Sequence, residues 1–441
     1  MPHLASDQKE EHENSNGKSM NSNSNSNSNS NEKNEIDTEV VQQRAESVAY
    51  IPMQAMLLSE DLGIDVSEAY LEPEGKLALP STVPAIPTLL GVHKDEFDAE
   101  ATAKRIHQVA SKWFQKKANI VDVLIHELCV LNEDQRMQVV LAYGTKHKSH
   151  HLHKLIRGNT KNKLQDILSA LTMTRFDYDA HWLHVALRKK SVNLLLTILC
   201  TMPSAEHVRL AHAAYDRLYP KTPLVKSVLD QTSGWFFHKR TIYGFFSNLL
   251  EKGRVSDVVP IDEQIVLQDA HMLVKASQSD KLDKSPFVEI FSLRSYEHLA
   301  AMAVAFQQIS QGKDLIQVIK QSFKEQSETG YACNITLYYA TRRYELLADL
   351  LRKAVVTPGK HYEMLTRIIV SRAEVDLCNI LQAYGREEFR QWVLKHLQTK
   401  NQVYAQVILT LCGFHKLDED VKKNNFLVAL FFFFWIVFVC L

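Results

Sequence analysis

Turn residues and cysteines are scarce in this chain. Its 441 residues include only 14 glycines, 12 prolines and 6 cysteines. Gly and Pro at about 3% each fall below ordinary usage. Such a chain has little material for many strands joined by tight turns, so helices are expected. The cysteines are Cys129, Cys200, Cys333, Cys378, Cys412 and Cys440. No two stand in C-x-x-C spacing and no His pair completes a zinc site. A reducing, cytosolic setting is therefore expected. Excess charge is also missing: 51 Lys and Arg balance 51 Asp and Glu. A general nucleic-acid binder would carry a basic surplus. There is no G-x-S-x-G, P-loop, G-x-G-x-x-G or H-E-x-x-H, so no enzyme is expected. Single His, Asp and Glu residues on amphipathic helices are expected at the surface. The opening MPHLASDQKEEHENSN has no apolar run, so no secretory signal is expected.

What is present divides unevenly. The apolar fraction is 45%, enough to bury a core through most of the chain, and the length alone suggests about three domains. Residues 1–48 are polar, with nine acids against four bases and an Asn-Ser alternation from Asn21 to Asn31. A segment so poor in apolar side chains cannot offset the entropy lost on ordering. Pro80, Pro84 and Pro87 favour an extended lead-in. Residues 1–90 are accordingly read as a disordered, low-complexity tail.

From about Glu96 to Gly413 the pattern is helical. Acids at Asp95, Glu96 and Asp98 suit the positive end of a helix. Ile106, Val109 and Trp113 then fall on one helical face. Repetition sets the architecture. LNEDQRMQVVLAY, MPSAEHVRLAHAAY, LRSYEHLAAMAVAF and SRAEVDLCNILQAY share a polar start and an amphipathic run ending in an aromatic. Those aromatics are Tyr143, Tyr215, Phe306 and Tyr384, spaced 72, 91 and 78 residues apart. Each is expected in a core. A repeat of about 70–80 residues accommodates five short helices. The extra length in one interval falls near Glu251–Ile261, a candidate linker.

Several segments resemble the annexin family. They are STVPAIP with DEFDAEATAKRIHQVA, YDAHWLHVAL (Tyr178–Leu187), Gln231-Thr-Ser-Gly-Trp235, IDEQIVLQDAHMLVKA (Ile261–Ala276), RIIVSRAEVDLCNI (Arg367–Ile380) and LTLCG (Leu409–Gly413). They follow one another in the family's order over about residues 95–414. The resemblance implies an all-α fold in which four repeats of about five helices form a curved disc. The implied divisions are 95–174, 175–255, 261–341 and 342–414, preceded by the tail. It also implies peripheral, calcium-dependent binding to anionic phospholipid membranes, including phosphatidylserine, at the cytoplasmic side of plasma or vesicle membranes. The expected lipid face carries the turns between the first and second helices (A–B) and between the fourth and fifth (D–E) of each repeat. A protein partner is expected through the N-terminal tail. A scaffold that keeps the fold without membrane binding is the alternative.

In the family a glycine-rich A–B turn supplies carbonyls to calcium, and an acid about 40 residues later supplies charge. Calcium needs six to eight oxygens, so both halves matter. The A–B stretches here are Trp113–Asn119, Arg188–Ser191, Ser279–Pro286 and Val355–Lys360, and only the last holds a glycine. The acid positions fall at Gly158 or Asn159, at Gln231 beside Asp230, at Glu328, and at Gln398 or Thr399. The weak calcium candidates implied are therefore Glu328, Val355, Thr357 and Gly359. The turns are rich in cations instead: Lys112, Lys116 and Lys117; Arg188, Lys189 and Lys190; Arg352, Lys353 and Lys360. In the third repeat Lys281 and Lys284 are offset by Asp280 and Asp283. Either these cations replace bridging calcium at a bilayer, with Trp113 and Phe114 inserting, or they are solvated helix ends.

Two further features stand apart. KHKSHHLHK (Lys146–Lys154) holds four histidines, readable as a pH-responsive patch, adventitious metal binding or a polar corner. FLVALFFFFWIVFVCL closes the chain with sixteen apolar residues after Lys422 and Lys423. At 1.5 Å per residue it would extend about 24 Å as a helix. Within 421–441 it is either a C-terminal membrane anchor or a gene-model artefact.

Overall fold

The computed structural model describes residues 83–112, 116–146, 151–232, 237–278, 282–324, 327–356, 362–398 and 401–414. All belong to the compact unit Glu74–Leu441. The first 82 residues and the apolar stretch within 421–441 lie outside the described residues.

Among the described residues there are twenty α-helices and no strand. They fall into four sets of five, labelled A to E within each repeat. The first is α1 (Ala99–Ala110), α2 (Lys117–Leu128), α3 (Glu133–Lys146), α4 (Leu152–Asn159) and α5 (Asn162–Ala170). The second is α6 (Arg175–Arg188), α7 (Val192–Leu199), α8 (Ala205–Leu218), α9 (Leu224–Thr232) and α10 (Phe237–Ser247). A π-helical turn, Asn248–Lys252, extends α10. The third is α11 (Glu263–Gln278), α12 (Ser285–Leu293), α13 (Tyr296–Ile309), α14 (Leu315–Ser322) and α15 (Glu328–Thr341). The fourth is α16 (Arg343–Val356), α17 (Tyr362–Arg372), α18 (Leu377–Tyr384), α19 (Arg386–His396) and α20 (Gln402–Leu411). Of the expected linker Glu251–Ile261, Glu251 and Lys252 belong to the π turn, and the rest runs without helix towards α11.

Capping side chains start the helices at corresponding places. Asp98 accepts from the Glu100 and Ala101 amides ahead of α1, and Thr174 accepts from Asp177 ahead of α6. Asp262 accepts from Gln264 and Ile265 ahead of α11. Ser204 and Ser295 do the same for the C helices α8 and α13. Each satisfies amides that have no partner inside the helix.

Two apolar cores result. One joins the second and third repeats through residues such as Leu183, Phe245, Phe287 and Phe306. The other joins the first and fourth through Ile106, Leu124, Phe389 and Leu411. The four repeat-marking aromatics are core residues as expected: Tyr143, Tyr215 and Phe306 are each 1% exposed and Tyr384 is 5% exposed.

Polar ties inside and between the repeats were not expected. Buried Asp179 on α6 meets His207 on α8 at 2.7 Å. In the third repeat buried Asp269 on α11 accepts from Arg294 at 2.6 and 3.1 Å and meets His298 at 2.9 Å. These side chains were expected at the surface. They are buried because each helix A acid faces the first turn of helix C, where a histidine stands three residues after the capping serine. Burial pushes the Asp269 carboxyl up, but His298 and Arg294 hold it below its usual value. A second seam joins three repeats: Arg136 donates to Glu374 at 2.6 Å and Arg175 to Glu133 at 2.5 Å. Pairing offsets the cost of removing these charges from water.

The expected disordered tail needs correction at its end, over residues 83–90. The Ile86 amide donates to Asn379 Oδ1 at 2.7 Å, and the Cys378 amide donates back to Ile86 O at 3.1 Å. Thr88 Oγ1 donates to Leu411 O at 2.6 Å. Gln135 bonds both the amide and carbonyl of Val92. The segment is thus a strap across the fourth repeat that hands the chain to the first. Prolines fitted its extended shape, but its partners lie almost 300 residues away.

Candidate functional site

The turns that follow A helices and precede E helices can be placed from their described flanks. Lys112, Lys116 and Lys117 flank the α1–α2 turn and are exposed. Lys117 Nζ reaches Gly158 O at 3.4 Å, so a cation stands beside the D–E turn of its own repeat. Arg188, Lys189 and Lys190 form the exposed end of α6 and the short turn to α7. Lys190 adopts φ 52°, a left-handed conformation that costs a side-chain-bearing residue about 1–2 kcal/mol. Lys189 pairs with Glu363 at the start of α17. This pair ties the A–B turn of the second repeat to the first turn of α17 in the fourth.

Lys353 is exposed on the last turn of α16. Arg352 is committed differently. It bonds Asp349 at 2.9 Å and donates to the Ala383 and Tyr384 carbonyls at 2.8 and 3.0 Å, closing the end of α18. Val355 is a core residue, 4% exposed, in the final turn of α16. Glu328 is the first residue of α15 and half-buried. Lys284 stands 6.0 Å from the Phe323 ring, and Asp283 Oδ1 accepts from the Ser285 amide at 3.0 Å. Trp113, Phe114, Asp280, Lys281, Thr357, Gly359 and Lys360 lie outside the described residues.

Calcium requires carbonyl and carboxylate oxygens together. At the first repeat's D–E turn Asn159 donates its amide to Leu155 O at 2.8 Å and Thr160 its hydroxyl to Ile156 O at 2.6 Å. The Lys117 ammonium adjoins the Gly158 carbonyl. In the second repeat Gln231 occupies the acid position, with Asp230 exposed beside it. In the fourth, exposed Gln398 does. Glu328 supplies a carboxylate in the third. Among the described residues no group of three or more His, Cys, Asp or Glu could hold a metal ion. Among the described residues of the first repeat's D–E turn, 157–163, there is no carboxylate to add charge to the six to eight oxygens that calcium needs.

A cleft of about 1010 Å³ opens where three repeats meet. Its floor holds buried Tyr178 and Trp182 from α6 and Tyr362 and Thr366 from α17. Its walls and rim bring in Arg157 from α4, Lys163 and Asp166 from α5, and His181 and Lys189 from α6 and its end. The cleft therefore gathers the end of α4 and the start of α5 from the first repeat, the end of α6 from the second and the start of α17 from the fourth. Lys163 stands over the Tyr362 ring. Burial lowers the Lys163 ammonium pKa. Partial burial, followed by the Glu363 charge, raises the Asp166 carboxyl. His153, on the rim, is lowered by burial and then by His151, Arg157 and Lys154. His181 is lowered by burial and by His184. His147 and His150 of the histidine-rich corner lie outside the described residues.

Sequence reasoning missed Arg157, Lys161 and Lys163. The D–E stretch Arg-Gly-Asn-Thr-Lys-Asn-Lys lacks the acid that the family resemblance implies. Its three cations in seven residues were a signal of their own.

Among the described residues no helix is long and apolar enough to cross a membrane. A family model for annexins matches residues 268–330. Annexin A7 of Xenopus laevis is 30% identical over 321 residues, 72% of this chain. The chain spans only 59% of that relative's length. Annexin A13 of Mus musculus is 28% identical over 302 residues, covering 68% of this chain and 90% of that protein. The solved structure of annexin III superposes with a TM-score of 0.66 at 22% identity, covering 75% of this chain and 98% of that one. Four five-helix repeats, two paired cores and these relatives place the chain in one family: it belongs to the annexins.

Proposed function

We propose that the protein is a non-enzymatic, peripheral binder of anionic phospholipid membranes at the cytoplasmic face, in which fixed cations carry much of the work that bridging calcium does elsewhere in the family. One observation carries this reading: Lys117 stands at the Gly158 carbonyl, placing an ammonium where a calcium ion would need oxygen ligands. Support comes from the exposed Lys112, Lys116, Arg188, Lys190 and Lys353 at the ends of A helices or the starts of B helices. Lysines and arginines close to an anionic leaflet contribute about 1 kcal/mol each at low salt. Arg352 is left out of this set, because its guanidinium already closes α18. Trp113 and Phe114 remain in it as interfacial candidates, since aromatic rings favour the headgroup level.

Calcium enters this reading in a reduced role, through Glu328 with the Val355, Thr357 and Gly359 carbonyls as the remaining candidates. Co-sedimentation with phosphatidylserine vesicles tests the proposal. Binding is expected in a calcium chelator and is expected to weaken as salt rises. Binding that needs calcium and ignores salt would refute it.

A further inference from the structure

Arg367, on α17, is a charge enclosed in the protein. The residue is 5% exposed, and its Nε is buried without a hydrogen-bond partner. Burial lowers the guanidinium pKa, Arg372 lowers it further, and Asp179, Tyr178 and Tyr331 oppose this only through charge, with no hydrogen bond. Arginine keeps its proton at neutral pH. A buried charge therefore needs compensation where it stands.

The neighbours are engaged elsewhere. Asp179, the acid that acts on Arg367 most strongly, turns Oδ2 to His207 at 2.7 Å. Asp376 is held by Arg372 Nε at 2.7 Å. Thr197 donates its hydroxyl to Asn193 O at 2.7 Å, so it accepts in its 2.7 Å bond with Tyr331, whose hydrogen is thereby used. Tyr178 differs. The Trp182 indole bonds its oxygen, and an indole N–H can only donate. The phenol hydrogen is left to donate, and no acceptor for it stands among the described residues. Tyr178 is 5% exposed, and its hydroxyl and the Arg367 guanidinium act on one another. Two buried donors beside each other thus lack an acceptor, a costly arrangement that marks where one belongs.

The place can be reached from outside. Tyr178 lines both the cleft and a crevice of about 20 Å³. On α17 Thr366 lines the cleft and Val370 the crevice, with Arg367 between them in the sequence. The crevice has room for one water-sized ion and excludes an organic ligand.

We propose that a single small monovalent anion, chloride in physiological salt, binds between Arg367 and the Tyr178 hydroxyl and neutralises this interior charge. A water molecule in its place would satisfy the donors but leave the charge. The inference does not depend on membrane attachment.

The test melts the full chain at fixed ionic strength while chloride replaces gluconate, an anion too large for the crevice. At a hundred times its dissociation constant, chloride should raise the midpoint by about 4 °C. Arg367→Met removes the charge and keeps much of the volume. That variant should be at least as stable as wild type in gluconate and should lose the chloride response. Wild-type crystals grown in bromide should show an anomalous peak within hydrogen-bond reach of Arg367 and the Tyr178 hydroxyl, which decides the question even where the variant does not fold. A water at that place, with midpoints that ignore chloride, overturns the proposal. A chloride response of equal size in Arg367→Met also overturns it. A bromide peak without any chloride response marks an adventitious ion only and overturns it as well.

Discussion

Replacing Asp269 by Asn should cost more stability than any other single polar change in the third repeat. The carboxylate is 1% exposed and accepts from Arg294 Nε at 2.6 Å, from Arg294 Nη2 at 3.1 Å and faces His298 Nε2 at 2.9 Å. Asparagine keeps the shape but removes the charge and turns one acceptor into a donor, leaving the Arg294 guanidinium without a counter-charge. Removing one partner of a buried pair costs about 3–5 kcal/mol. Unfolding entropy is about 2.1 cal/mol/K per residue. Spread over roughly 330 cooperative residues, this gives about 0.7 kcal/mol/K. The midpoint should therefore fall by about 4–7 °C, measured by circular dichroism or calorimetry on the full chain. The carboxyl is held below its unfolded value, so its contribution is fully present above about pH 4. That contribution fades as pH drops through the folded value. Wild type and variant should converge in acid. A midpoint change under 1 °C at neutral pH, or a difference that persists undiminished below the carboxylate range, would refute the reasoning.

Three other outcomes are expected. Changing Lys116, Lys117, Arg188 and Lys190 together to Gln should weaken attachment to phosphatidylserine vesicles by about three orders of magnitude at low salt, at ~1 kcal/mol per cation; vesicle co-sedimentation with the helical spectrum unchanged checks it. Thr88→Val should lower stability by about 1–2 kcal/mol in denaturant titration, because its hydroxyl serves Leu411 O at 2.6 Å and Ala373 O at 3.2 Å. The thiols of Cys129, Cys200, Cys333, Cys378 and Cys412 are buried, and burial pushes Cys129 up to about 12; a thiol reagent should label these five only after unfolding, as mass spectrometry of the labelled peptides would show.

Much of the fold was legible because it is local and repeated. The aromatic that closes each amphipathic run is one residue type at one place in a helix, so its spacing announced the repeats and its burial followed. The pairing of the repeats into two cores follows from faces that no single helix can cover alone. What escaped notice depends on partners distant in sequence. Nothing local says that Ile86 will meet Asn379, or that Arg352 will turn back to the end of α18. Asp269 and His298 look like ordinary surface residues until the third repeat folds. At the candidate site the cations were legible as types, but not as a set. Lys117 meets Gly158, and Lys189 meets Glu363, only because the turns of different helices converge.

The most direct measurement of the central claim is attachment of the full chain to phosphatidylserine vesicles at 50 and 200 mM salt, each with calcium and with chelator. Fixed cations at the bilayer predict attachment in chelator at 50 mM that drops at least tenfold at 200 mM, with calcium adding little. Attachment found only with calcium, and equal at the two salt concentrations, would contradict it.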